Sequence, residues 1–186
     1  SATVTVVADP AISVQPTGMT ICNGGTYALS VTPTGGTPSL AFQWQSSSDN
    51  VTFTNINGAT TNTYTTSALY ATTYYRVAVS ASGSGCGIVT SSSATVTVNA
   101  LLLANAGPDV SICPSDSTTI SATASGGSSS YTFTWSHGLG AGESKKVLPA
   151  NSTIYTVTAT DVYGCSATDE VQVTVVTCTE ICTNGF

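Results

Sequence analysis

The chain of 186 residues carries little charge and almost none of it basic: Lys and Arg total three (Arg76, Lys145 and Lys146), against nine acidic residues, for a net charge of −6. Without a basic patch to neutralise phosphates, the sequence argues against a nucleic-acid partner. There is one histidine, His137, and no Cys-x-x-Cys pair. Nothing has the spacing of a zinc site, so neither a metal nor a cofactor is expected. No apolar run approaches the roughly 20 residues of a membrane-crossing helix, and no basic segment precedes an apolar core at the N-terminus. Membrane insertion is therefore not expected, and any export signal is expected to lie outside this chain. Helical periodicity is also nearly absent.

What is present is alternation of period two, as in Tyr27-Ala-Leu-Ser-Val31, Tyr75-Arg-Val-Ala-Val79, Tyr131-Thr-Phe-Thr-Trp135 and Val171-Gln-Val-Thr-Val175. Such runs predict short strands with one buried face and one Ser/Thr face. Hydrophobic residues make up 41% of the chain while charged ones make up 6%, so hydroxyls rather than ions solvate the surface. Gly35-Gly36, Asn57-Gly58, Gly126-Gly127 and Tyr163-Gly164 punctuate the runs as turns. About seven strands per repeat predicts an all-β protein of two tandem sandwiches.

The repeat itself is visible in the letters. Thr34-Gly-Gly and Phe42-Gln-Trp44 align with Ser125-Gly-Gly and Phe133-Thr-Trp135, the tryptophans lying 91 residues apart, and Ile21-Cys22 aligns with Ile112-Cys113 at the same offset. The register slips once, since Tyr75 and Tyr155 are 80 apart, placing about eleven extra residues between Trp and Tyr of the first copy. Ser1-Ala-Thr-Val-Thr-Val6 repeats Ser93-Ala-Thr-Val-Thr-Val98 letter for letter. The chain therefore reads as closing strand of a preceding repeat or donated strand (1–8), first sandwich (9–100), second sandwich (101–177) and tail or start of a next repeat (178–186). Leu101, Leu102 and Leu103 interrupt the alternation at the boundary and are expected to pack between the domains.

Six cysteines, Cys22, Cys86, Cys113, Cys165, Cys178 and Cys182, occupy equivalent repeat positions in part and favour disulfides in an oxidising, extracellular compartment. Repeat logic pairs Cys22 with Cys86 and Cys113 with Cys165. Cys178 and Cys182 are left to close a small loop or to bond outside the chain.

The segment Trp44-Gln-Ser-Ser-Ser-Asp49, with Phe53, Gly58, Tyr64, Leu69 and Tyr75-Arg-Val77, resembles the immunoglobulin-like repeats of large secreted Bacteroidetes surface proteins. Asn105-Ala-Gly-Pro-Asp109, Ile112-Cys113, Trp135, Tyr155-Thr-Val157 and Gly164-Cys165 resemble the PKD-type repeats of gliding-motility-associated adhesins. The resemblance implies immunoglobulin-like and PKD-like sandwiches, export by the type IX secretion route, a role as cell-surface stalk, adhesin or filament, and no catalytic residue. One departure matters: Trp44 follows Cys22 by 22 residues, against about a dozen in antibody domains, so the disulfide is expected to be a peripheral staple.

Repeat-equivalent positions on alternating strands make Trp44, Trp135, Tyr75 and Tyr155 core residues rather than sugar platforms. Tyr64, Tyr70, Tyr131 and Tyr163 are better placed for exposed contacts. His137, beside Ser136, lacks the positioned partners of a general base and reads as a surface turn. Asp109, Asp116, Asp161 and Asp169 form no calcium-binding ladder and read as solvated turn residues. Lys145 and Lys146 point to opposite faces of a strand, which disfavours an intramolecular amide crosslink. Asn50-Val-Thr52 and Asn151-Ser-Thr153 are N-glycosylation sequons, and Ser117 in Asp116-Ser-Thr118 resembles an O-glycan acceptor of Bacteroidetes exported proteins. The function expected is non-catalytic: a structural or adhesive segment of an extracellular fibre, stalk or filament, partnered by neighbouring repeats or copies of itself and by surface glycans. In its sharper form Ala2, Val4 and Val6 belong to a strand donated to a neighbour. The alternative is a carbohydrate-binding or spacer module of a secreted multidomain hydrolase.

Overall fold

The computed structural model describes residues 8–36, 39–81 and 87–178. The chain divides into two compact units, Ser1–Asn99 and Ala100–Phe186. Residues 1–7, with Ala2, Val4 and Val6, and the cysteines Cys86 and Cys182 lie outside the described residues.

The strands of the first unit are β1 (Ala11–Val14), β2 (Met19–Ile21), β3 (Ala28–Ser30), β4 (Thr32–Thr34), β5 (Leu40–Ser47), β6 (Thr54–Asn55), β7 (Thr63–Thr65), β8 (Thr73–Ala81), β9 (Ile88–Thr90) and β10 (Ala94–Val98). One sheet runs in the order β2-β10-β8-β5-β6, with β9 also paired to β8. The opposing layer pairs β1 with β4 and β3 with β7. β3 and β4 are halves of one strand broken at Val31, whose N–H bonds the Asn62 carbonyl across to the β7 side at 3.0 Å. Alternation explains the layering: Trp44, Val77, Val79 and Val96 point inward from the large sheet and meet Leu29 and Val31 of the other.

The second unit repeats the plan with β11 (Leu103–Asn105), β12 (Val110–Ile112), β13 (Thr118–Ser121), β14 (Thr123–Ser125), β15 (Thr132–Trp135), β16 (Gly140–Ala141), β17 (Ser144–Val147), β18 (Thr153–Thr160) and β19 (Ser166–Val175). Its large sheet is β12-β19-β18-β15-β16, opposed by β11-β14 and β13-β17. In both units the N-terminal strand is shared between layers: β1 and β11 join the small layer, whereas β2 and β12 run parallel to the last strand of the large sheet. Both are immunoglobulin-like β-sandwiches.

The repeated Gly-Gly pairs have a common cause. Gly126 and Gly127 have φ of 72° and 55°, and a Cβ on Gly126 would collide with the Leu101 carbonyl. In the first unit Gly35 and Gly36 (φ 69° and 66°) sit equally close to the entering chain, where a Cβ on Gly35 would meet the Asp9 carbonyl. Each pair lets the backbone turn left-handed directly against the strand that begins its sandwich. Gly126→Ala is expected to cost about 1–3 kcal/mol, measured as a drop in the denaturation midpoint of the second unit.

Leu102 packs against Gly127 of its own unit. One expectation is corrected by this topology: Cys113 bonds to Cys178, with Cα atoms 5.6 Å apart, and not to Cys165. Cys113 follows β12, whose Ile112 stands beside Val175 at the end of β19. Cys165 precedes Ser166 at the start of the same strand. Ten residues of strand separate the two ends by roughly 30 Å, too far for any disulfide. The bond that does form staples the edge strand β12 to the chain leaving β19, at the rim of the large sheet. Cys22 and Cys165 are disulfide-bonded as well. The expected partner of Cys22, Cys86, lies outside the described residues.

Candidate functional site

The residues that chemistry would recruit are mostly spent on structure. Trp44 and Trp135 are buried, and their indole N–H groups donate to the Thr61 and Gly142 carbonyls at 2.9 and 3.0 Å. Tyr75 and Tyr155 are buried beside them. Burial, then the neighbouring Tyr64 ring, pushes the Tyr75 phenol above its ordinary pKa. Tyr64 is not a free surface ring: it is half-buried, with centroid distances of 6.1 Å to Trp44 and 5.9 Å to Tyr75. Tyr131 is half-buried and donates to the Gly126 carbonyl, while Tyr70 and Tyr163 are exposed.

The carboxylates of the second unit tie backbone. Asp161 is buried, and accepts from the N–H groups of Tyr163 and Cys165 through Oδ1 and of Ser128 through Oδ2. It shapes the β18–β19 turn, which corrects its reading as a solvated residue. Asp169 accepts from Ala106 N–H and Asp109 from Gln172 N–H, each bridging the split N-terminal strand to β19. Asp116 is exposed. Among the described residues no group of three His, Cys, Asp or Glu side chains is placed to hold a metal ion. No buried side-chain nitrogen or oxygen there lacks a hydrogen-bond partner.

Ser136 Oγ lies 2.9 Å from His137 Nδ1 and accepts the Thr156 N–H at 3.0 Å. The His137 ring stands edge-on to Tyr155 at 5.3 Å in a turn where His137 itself has φ of 57°. The pair closes the β15–β16 turn, and among the described residues no carboxylate orients the imidazole. Lys145 donates to the Ala141 carbonyl and Lys146 is exposed on β17. Both sequon asparagines, Asn50 and Asn151, and Ser117 are exposed.

Asp49 closes the turn after β5. Its Oδ1 accepts from Thr52 N–H, Val51 N–H and the Ser47 hydroxyl. Hydrogen bonds from Thr52 N–H first, then Val51 N–H and Ser47, hold this exposed carboxyl at about 2. Because the folded pKa is depressed, the stabilisation is full above the ordinary value of 3.8 and is lost as pH falls toward 2. An Asp49 carboxyl resonance titrating near 2, and a loss of stability in that window that Asp49→Asn removes, are the expected NMR and unfolding results.

One constellation was not found by sequence reasoning. On the outer face of the first unit's large sheet, Gln45 faces Arg76 across β5 and β8. Arg76 Nε donates to Gln45 Oε1 at 2.7 Å, and Gln45 Nε2 donates to Asn55 Oδ1 at 2.7 Å. The guanidinium carbon lies 4.0 Å from the centroid of Phe53. Next to this row, Ala41, Ala78 and Ser80 make the low floor of a groove of about 280 Å³, rimmed by Gln43, Gln45, Asn55 and Ile88. The available signal was parity: Gln43, Gln45, Arg76 and Ala78 occupy the positions opposite to Trp44 and Val77.

Residues 12–100 match the model of a family described as a domain of unknown function (DUF8696). No curated protein sequence matches the chain. Among solved structures, it is similar to the N-terminal eight immunoglobulin domains of Down Syndrome Cell Adhesion Molecule, at 14% identity and a TM-score of 0.46, covering 93% of this chain and 27% of that one. DIP-gamma IG1+IG2 is similar at 14% identity and a TM-score of 0.45, covering 90% of this chain and 98% of that one. The titin I-band fragment I67–I69 gives 16% and 0.49, covering 91% and 66%. The chain thus spans about a quarter of the Down Syndrome Cell Adhesion Molecule chain. It is the strand order of the two units that identifies the sandwich.

Proposed function

We propose that the chain is a non-catalytic structural and adhesive segment of an extracellular surface fibre, stalk or filament. The observation that carries this reading is that one sandwich plan is built twice from a copied sequence, with Trp44, Tyr75, Trp135 and Tyr155 packed inside and the carboxylates of Asp161 and Asp169 bonded to backbone. Repetition of a self-contained unit suits a spacer or array, and disulfides suit an oxidising exterior. The finer form, a Bacteroidetes filament exported by the type IX route, is supported by the sequence resemblance.

The copy of the 93–98 strand at residues 1–6 supports assembly by strand donation, in which main-chain hydrogen bonds complete a neighbour's sheet. Deleting residues 1–7 is expected to abolish polymerisation while both sandwiches keep their circular-dichroism signature. Fibres formed by the truncated chain would remove strand donation from the account.

A further inference from the structure

We infer that the outer face of the first unit's large sheet is a binding site for a carboxylate-bearing saccharide, such as a uronic-acid glycan, with Arg76 as its anion-binding group. It rests on the adhesive part of the reading above and not on the assembly part.

Arg76 is one of three cations in a chain of net charge −6, and among the described residues it has no carboxylate partner. Its side chain is nonetheless held in place. Gln45 takes the Nε hydrogen and the Phe53 ring lies against the guanidinium plane. The terminal N–H groups are left as a pre-oriented fork of the shape that binds a carboxylate through two parallel bonds. A guanidinium supported by an aromatic ring and an amide has lost its rotamer freedom before a ligand arrives, which lowers the entropic cost of binding. The acidic residue at this end of the sheet, Asp49, bonds Val51, Thr52 and Ser47 of its own turn.

The groove beside the fork suits a sugar ring better than a peptide. Its floor is Ala41, Ala78 and Ser80, low enough for a ring to approach the sheet, and its rim carries amides that can pair with hydroxyls. Gln43 donates Nε2 to the Trp44 and Ile56 carbonyls at 2.9 and 2.8 Å, leaving its side-chain carbonyl for a ligand hydroxyl. Ile88, 72% exposed, gives an aliphatic wall on the opposite side. β6 covers β5 only at Gln45 and Ser46, so the polyglutamate arm of the test below separates a peptide laid along the neighbouring edge from a sugar on the face. The volume, about 280 Å³, falls just below the roughly 300–1,000 Å³ of sites that enclose drug-sized ligands, which fits a single ring unit of a longer chain.

The test is titration calorimetry of the full chain with a galacturonate tetramer, the uncharged galactose tetramer and a short polyglutamate peptide. Wild type is expected to bind the galacturonate tetramer and not the neutral one, with affinity falling as salt rises. Arg76→Gln should weaken binding at least tenfold. Arg76→Lys, which keeps the charge but loses the fork, should fall between them. Ala78→Gln, which fills the groove floor without touching the cation, should also weaken binding at least tenfold, and thermal unfolding establishes that each variant folds. Absence of galacturonate binding, equal binding of the neutral sugar, preference for polyglutamate, or affinity unchanged by Arg76→Gln and Ala78→Gln would each overturn the inference. Fibre assembly is scored on the same samples: assembly without uronate binding ends the saccharide inference alone, and uronate binding without assembly ends the fibre reading alone.

Discussion

Trp44→Ala is expected to destabilise the first sandwich by about 3–5 kcal/mol, the range for removing a fully buried large aromatic. Trp44 has no exposed surface. Its ring supports Tyr64, which in turn supports Tyr75, and its N–H occupies the Thr61 carbonyl. Deletion therefore leaves a cavity between the two layers and an unsatisfied carbonyl in the loop that closes over it. Against the roughly 5–15 kcal/mol that domains possess, the change removes a large part of the total. Urea denaturation followed by far-ultraviolet circular dichroism measures it. Trp44→Phe should cost clearly less, since most of the ring volume stays and only the hydrogen bond to Thr61 is lost. Equal effects of the two substitutions would contradict the packing account.

Removing the Cys113–Cys178 bond, by Cys113→Ser with Cys178→Ser, is the second large effect. The bond closes a loop with a sequence separation of 65, which chain entropy values at about 4 kcal/mol as an upper figure. We expect a loss of 2–4 kcal/mol for the second sandwich, in the usual range for native disulfides of about 2–5 kcal/mol. The bond also keeps the three-residue strand β12 on β19, and a strand that short holds few ladder bonds of its own. Loss of protection at Val176 N–H, which bonds the Ile112 carbonyl, should accompany the destabilisation in hydrogen exchange. An unchanged midpoint with unchanged exchange would mean that the staple does not hold β12.

How much of this was legible in the letters depends on how local the cause is. Period-two runs such as Tyr75-Arg-Val-Ala-Val79 declare both strand and buried face, because side-chain direction alternates along a strand regardless of context. The Trp44 and Trp135 copies locate the two large sheets for the same reason. The Cys113 partner is decided instead by β12 running parallel to β19, a pairing of residues far apart in sequence that places Ile112 at the Val175 end. Nothing in Ile112-Cys113 encodes which end that is, and equivalence of Cys86 and Cys165 in the repeat suggested the wrong one. Tyr64 lies on β7, the counterpart of β17, and its ring turns back onto Trp44, a contact that the polar-flanked Thr63-Tyr-Thr65 run does not declare. Asp161 looks like any turn aspartate until the chain before β15 closes over it and Ser128 donates to its second oxygen. The Arg76 face was within reach of parity, but its meaning lies in the Phe53 and Asn55 contacts, which only the turn after β5 supplies.

The most direct measurement is mass spectrometry of peptides shaved from intact source cells by a broad-specificity protease and kept unreduced. An extracellular, disulfide-stapled sandwich repeat predicts that the chain is among the released peptides and that Cys113 is found linked to Cys178. Recovery only after cell lysis with its cysteines as free thiols, or a Cys113–Cys165 link, would contradict it.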